Sequence, residues 1–160
     1  TSLRGVINLI IIVPFEPKPQ DRVRCTCRGG RFASAYEKKA MKDWRNAVTE
    51  WFKENYKGEF FDKPTRVEVT FYMKAPNVMS NKPSPRSLPK TWDKYYRFTE
   101  ERIWHDKKID IDNLMKSVFD SMTKSKVVWT DDGIVSEVTA RKLYSPNPRI
   151  ELKIEELNEL

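Results

Sequence analysis

The apolar positions along this chain fall into a few segments of distinct period, and each period selects an element. Residues 6–13, VINLIIIV, are apolar on both faces and β-branched, which predicts a strand covered on two sides near the middle of a sheet. From residue 65 to 74 the pattern alternates, with Val67, Val69, Phe71 and Met73 inward and Arg66, Glu68, Thr70 and Tyr72 outward, as in a strand with one solvated face. Tyr36, Ala40, Trp44, Ala47, Val48 and Trp51 recur at helical spacing, predicting a helix capped by Ser34, buried along that stripe, running to about Tyr56 and stopped before Gly58. A second helix, over about residues 112–124, gathers Leu114, Met115, Val118, Phe119 and Met122 into one apolar stripe and leaves Asp112, Lys116, Asp120 and Thr123 on the other side.

Val127, Val128 and Trp129 read as a short buried strand. Residues 134–143 read as another, with Ile134, Val138 and Ala140 inward. In residues 149–156, Ile150, Leu152 and Ile154 alternate with charges, and the Pro-Asn-Pro turn at 146–148 predicts a hairpin with the preceding strand. The resulting order is β-α-β-α-β-β, an α/β (α+β) chain with a mixed four-stranded sheet and two helices packed on it. At 160 residues, with no internal repeat or linker, it is the size of a single domain, 1–160.

Two intervals break the periods. Residues 14–31 hold three prolines, Gly29-Gly30 and five basic residues against two acids, and read as a loop whose Arg22, Arg24, Arg28 and Arg31 can clamp phosphates or stand exposed. Residues 75–106 form a basic, Pro- and aromatic-rich loop, interleaving Lys82, Arg86, Lys90, Lys94 and Arg97 with Trp92, Tyr95, Tyr96 and Phe98. Between residues 74 and 108 nine basic residues face four acids, a surplus of five out of the net +7. Cations mixed with rings suit a flexible nucleic-acid surface, while the plainer alternative packs the rings back on the domain.

Cys25 and Cys27 are too few for a disulfide framework, and with one histidine they cannot build a four-ligand zinc site, so a reduced, cytoplasmic setting is expected. The longest apolar run, residues 6–15, is interrupted by Asn8 and Pro14 and is short of the ~20 residues a membrane helix needs. Neither a membrane span nor a signal peptide is predicted.

The chemistry concentrates in residues 107–132, KKIDIDNLMKSVFDSMTKSKVVWTDD. Residues two apart on a helix diverge, so Asp110 and Asp112 can serve one ligand only if the chain is extended at Asp110 and the helix starts at Asp112. Lys116 then lies one turn along, and the turn at Asp131-Asp132-Gly133 can return further carboxylates to the first pair. Carboxylates brought together repel unless a cation lies between them, and all-oxygen ligands favour Mg²⁺, or Mn²⁺ in its place, over zinc. Taken singly, Asp112 reads as a helix cap, Lys116 as a surface lysine and the double aspartate as a solvated turn. Taken together they read as a site. His105 is left outside it, since hard-cation sites seldom need histidine.

The run D-x-D-N-L-x-K, an apolar helix containing Asp120, and W-x-D-D some ten residues later resembles the RusA family of phage and bacterial crossover-junction endodeoxyribonucleases, most closely over residues 107–138. That resemblance implies a RusA-like fold and a magnesium-dependent homodimer that resolves four-way (Holliday) DNA junctions. It implies that Asp110, Asp112 and Asp132 bind metal, with Asp131 a neighbouring acid, and that Lys116 is catalytic. Relatives often carry an Arg-rich loop near residues 22–31; with Lys82, Arg86, Lys107 and Lys108, these residues are the expected DNA contacts. Many relatives have Pro before the first Asp and Gly after the helix, where this chain has Ile109 and Ser125-Lys126. A flap or restriction-type nuclease and a non-catalytic DNA-binding module are the alternative readings.

Overall fold

The computed structural model describes residues 9–20, 24–28, 32–36 and 38–160, with backbone alone for 24–28 and 32–36. The chain divides into two compact units. One holds the stretch ending at Pro17, Phe61–Lys108 and Gly133–Leu160; the other holds Lys18–Phe60 and Ile109–Asp132.

The first unit is built on a mixed four-stranded sheet of β1 (Ile11–Val13), β4 (Thr65–Lys74), β5 (Val135–Ser145) and β6 (Arg149–Glu156), in the order β1-β6-β4-β5. The alternation read in β4 holds: Val67, Val69, Phe71 and Met73 are buried. Register carries that face across the sheet, where Ile11, Leu152 and Val69 form one rung and Val13, Ile150 and Phe71 the next.

The expected hairpin does not form. β5 pairs with β4 in parallel, and β6 pairs antiparallel with β4 and β1. The 146–148 link therefore steps past the end of β4, bridging two strand spacings of about 4.8 Å each, a span for which extended prolines suit better than a tight turn. β6 also takes the inner place expected for the first strand. β1 is thus an edge of three residues, with Leu9, Ile10 and Ile12 exposed. β5 is the other edge, which is why Val138, expected inward, is 41% exposed.

Residues 75–106, read as one loop, are nearly half helical. They contain α2 (Asn77–Ser80) and α3 (Pro89–Thr99), the latter started by a proline at its first position. Phe98 is buried with Ala75 and Tyr144, and Tyr95, Met79 and Ile103 pack against them. Trp92, Tyr95 and Tyr96 meet one another with centroids 5.7–6.1 Å apart. Glu101, at the left-handed φ of 58° just past α3, receives two guanidinium hydrogen bonds from Arg149, at 2.7 and 3.2 Å. The same guanidinium lies 3.8 Å from the centre of the Tyr72 ring. Burial opposes ionisation of Glu101, but hydrogen bonds from Arg149 and Ser145 outweigh it and hold its carboxyl below the usual range.

His105 is buried beside Tyr144, with ring centroids 4.7 Å apart, and its Nδ1 has no hydrogen-bond partner. Burial first, then the charge of Lys142, lowers its pKa. Below the unfolded value of about 6.5 the unfolded chain therefore binds more protons than the folded one, so stability falls as pH drops through that value. Urea midpoints at pH 7.5 and 5.5 test this: the wild type loses stability on acidification, and His105→Phe flattens the loss.

The second unit pairs β2 (Arg24–Arg28) with β3 (Phe32–Tyr36) as an antiparallel hairpin and packs α1 (Lys39–Asn55) against α4 (Ile111–Ser125). The interval read as a basic loop thus contains a strand. Ser34 belongs to β3, so it does not cap α1, which starts after Lys38 without a side-chain cap. The buried face of α1 is Met41, Arg45, Val48, Thr49 and Phe52; Trp44 and Trp51 flank it half-buried, while Ala40 and Ala47 are exposed. Between the helices the Ser121 hydroxyl reaches the Arg45 carbonyl at 3.4 Å. At Gly58 the chain turns away, and a Cβ there would stand 2.7 Å from the Tyr56 hydroxyl, so that ring would have to shift.

Candidate active site

α4 separates its faces as its sequence requires. Leu114, Val118, Phe119 and Met122 are buried, with Ser117, Ser121 and Ser125 filling the same side. The serine hydroxyls bond back to the carbonyls of Leu114, Ser117 and Met122, so they bury no unmet donor. Asp112 and Lys116 are exposed and Asp120 is half-buried, each four residues from the next. At about 1.5 Å per residue they form one polar stripe roughly 12 Å long.

The entry to the helix is tightly defined. Asp110 is extended, at φ −72° and ψ 133°, and its carbonyl accepts the N–H groups of Asn113 and Leu114 at 3.1 and 3.2 Å. Its carboxylate makes no capping bond, so it is not engaged as a structural cap. The helix starts at Ile111, one residue earlier than expected, and the Asp112 carboxylate accepts the N–H of Asn113 at 2.9 Å. Ile109 holds φ at 150°, a value a proline ring cannot reach, so the proline expected of many relatives at this place would need a different backbone. From the incoming chain, Ser117 donates to the Lys18 carbonyl at 2.6 Å, and the Gln20 N–H donates to the Asn113 carbonyl at 3.0 Å.

At the other end Lys126 closes α4 in the left-handed conformation, φ 62°, the role glycine usually fills. Residues 127–129 are not the expected strand. They are bends ending in a single bridge position, and the Trp129 side chain fixes them: it is 1% exposed, edge-on to Phe119 at 5.4 Å, with its indole N–H on the Thr123 hydroxyl at 2.8 Å. That anchor sets the corner that carries Asp131 and Asp132, where a 3₁₀ turn begins.

The carboxyl of Asp132 has its pKa raised by burial first, then by the charges of Asp131 and Asp120, and by a hydrogen bond with Asp131. The structure thus brings Asp132 and Asp131 to the Asp120 end of the stripe, with Asp110 and Asp112 at its start and Lys116 midway. Asp120 is the acid that motif reading left out of the set. Its signal was present, in a spacing of four and eight residues from Lys116 and Asp112.

A family model described as endodeoxyribonuclease RusA matches residues 14–155. The chain belongs to the RusA family of endodeoxyribonucleases. It is also similar to the uncharacterized protein YqaN of Bacillus subtilis (strain 168), with 24% identity over 143 residues that cover 89% of this chain and 92% of that protein.

In this RusA-family chain every acidic donor of the stripe and the corner is an aspartate oxygen, a set suited to a hard divalent cation. The mutual repulsion at Asp132 is what such a cation relieves. Among the described residues no three Asp, Glu, His or Cys side chains converge to hold an ion by themselves. Of the expected DNA contacts, Lys82, Arg86, Lys107 and Lys108 are exposed. Arg24 and Arg28 end the β2 strand, and Arg22 and Arg31 lie outside the described residues. Among the described residues no helix is long and apolar enough to cross a membrane.

Proposed function

We propose that this protein is a Mg²⁺-dependent, structure-specific endodeoxyribonuclease that resolves four-way DNA junctions by phosphodiester hydrolysis, with Mn²⁺ able to substitute. The supporting observation is the aspartate-lysine-aspartate stripe on α4, entered at Asp110 and met at its far end by Asp131 and Asp132. Asp110 and Asp112 at one end of the stripe and Asp132 at the other, with Asp131 and Asp120 beside Asp132, are the proposed ligands of one or two ions. A divalent ion bound by these residues would supply Lewis acidity to the scissile phosphate and would lower the pKa of the attacking water.

Lys116 stands between the two acidic ends and brings positive charge to a phosphate at the stripe, where negative charge grows during hydrolysis. Arg22, Arg24, Arg28, Arg31, Lys82, Arg86, Lys107 and Lys108 hold the junction arms. A homodimer presents two such stripes about a two-fold axis, as paired symmetric cuts require. A chromosomal or phage substrate inside a bacterial cytoplasm suits these roles.

The test is cleavage by purified protein of a four-way junction, a flap and a linear duplex of shared sequence, with Mg²⁺ and with chelator. Paired, metal-dependent cuts in the junction alone are expected. Preferred cutting of the flap or duplex makes it another class of nuclease, and a junction bound but never cut makes it a binding module.

A further inference from the structure

Trp104 is an exposed aromatic whose backbone is pinned on both sides. Its neighbours Ile103 and His105 turn inward, while its indole is 64% exposed. The backbone on both sides is pinned to the edge of β5: the Tyr144 N–H donates to the Ile103 carbonyl at 2.9 Å, and the His105 N–H donates to the Lys142 carbonyl at 3.1 Å. Together these bonds make Trp104 and Leu143 an antiparallel bridge pair of the closely spaced, non-hydrogen-bonded kind. Trp104 thus lies level with Leu143 on the sheet edge.

Residues two apart on a strand share a face, so Arg141, exposed on β5, lies on the Leu143 side beside Trp104. Arg102, Lys107 and Lys108, all exposed, stand close to it in sequence; the Arg102 Nε donates to Glu100 at 2.7 Å, leaving its two terminal nitrogens to a phosphate, and Lys107 is paired with Asp106 at 3.9 Å. A singly exposed ring is ordinary on a protein surface, but here it is pinned on a sheet edge beside exposed cations. It suits nucleic acid, with arginines and lysines on phosphates and an indole on the face of a base.

We infer that Trp104 is a specificity residue that stacks on an unpaired or unstacked base at a DNA branch point, with Arg141 and Arg102 holding the flanking phosphates. An intact duplex offers no free base face at its side, so the contact distinguishes branched from linear DNA. The inference rests on the junction-nuclease reading and names the feature of the substrate that is recognised.

The experiment uses full-length protein, Ca²⁺ in place of Mg²⁺, and a four-way junction carrying 2-aminopurine at the crossover. Wild type should change the probe's fluorescence on binding. Trp104→Leu should abolish that change and weaken junction binding roughly tenfold or more, leaving duplex binding unaltered, while Trp104→Phe should restore much of both. Equal junction affinity and equal probe signal for wild type and Trp104→Leu would overturn the inference, as would a shift in sedimentation showing that the residue instead joins protein copies. Wild-type protein that fails to cut junctions in Mg²⁺ sinks the nuclease reading separately, since the stacking readout needs no cleavage.

Discussion

Replacing Asp132 by Asn lowers the rate of junction cleavage by about 10²–10³-fold while leaving junction affinity near that of the wild type. Asparagine keeps the shape of the side chain and removes its charge. Because burial, and after it the charges of Asp131 and Asp120, already oppose that charge, the same substitution also makes the folded protein slightly harder to unfold. The two effects have opposite signs, which separates a functional acid from a structural one: an aspartate serving only its turn would lose stability on substitution and leave chemistry intact. Single-turnover cleavage in Mg²⁺ beside urea unfolding of the same samples reads both. Unchanged cleavage, or lost stability, removes Asp132 from the site.

The largest effect on folding is expected at Trp129. Trp129→Ala empties a site that is 1% exposed, strips Phe119 of its edge-on partner and leaves the Thr123 hydroxyl without the indole donor. Large-to-small changes of this kind cost about 3–5 kcal/mol, a substantial part of the roughly 5–15 kcal/mol by which ordinary domains are stable. Trp129→Phe retains the ring contact and gives up mainly the hydrogen bond, at about 1 kcal/mol. If Trp129 acts by fixing the corner of Asp131 and Asp132, the Phe variant keeps most of its cleavage. The Ala variant loses cleavage even at temperatures where it remains folded. Chemical denaturation with cleavage assays at 15 and 37 °C checks the pair, and an Ala variant as stable as wild type refutes the anchor.

What could be read from the chain, and what could not, follows the range of the forces involved. The buried faces of α4 and β4 are legible because each is written in consecutive apolar residues at one period, and burial rewards that period directly. α1 is misread at both ends of that logic. Ser34 is a good cap by type, but backbone pairing claims it for β3, and the helix buries Arg45 and Thr49 while its tryptophans stay half-exposed. A hydrophobic pattern cannot rank a buried arginine above a tryptophan.

The pairing of β5 with β4 is set by long-range sheet order, and a proline-rich link that looks like a hairpin turn is equally suited to stepping past a strand. At the site, spacing shows that Asp120 shares the Asp112 and Lys116 side of the helix. That the double aspartate returns to Asp120 depends on a bend held by a tryptophan, which no local pattern records.

Ile109 immediately precedes the first proposed ligand and carries a β-branched side chain at φ 150°. Such a backbone stores of order 1–3 kcal/mol, which the rest of the fold must hold in place. Glycine there would release that tension and leave Asp110 on a slacker tether.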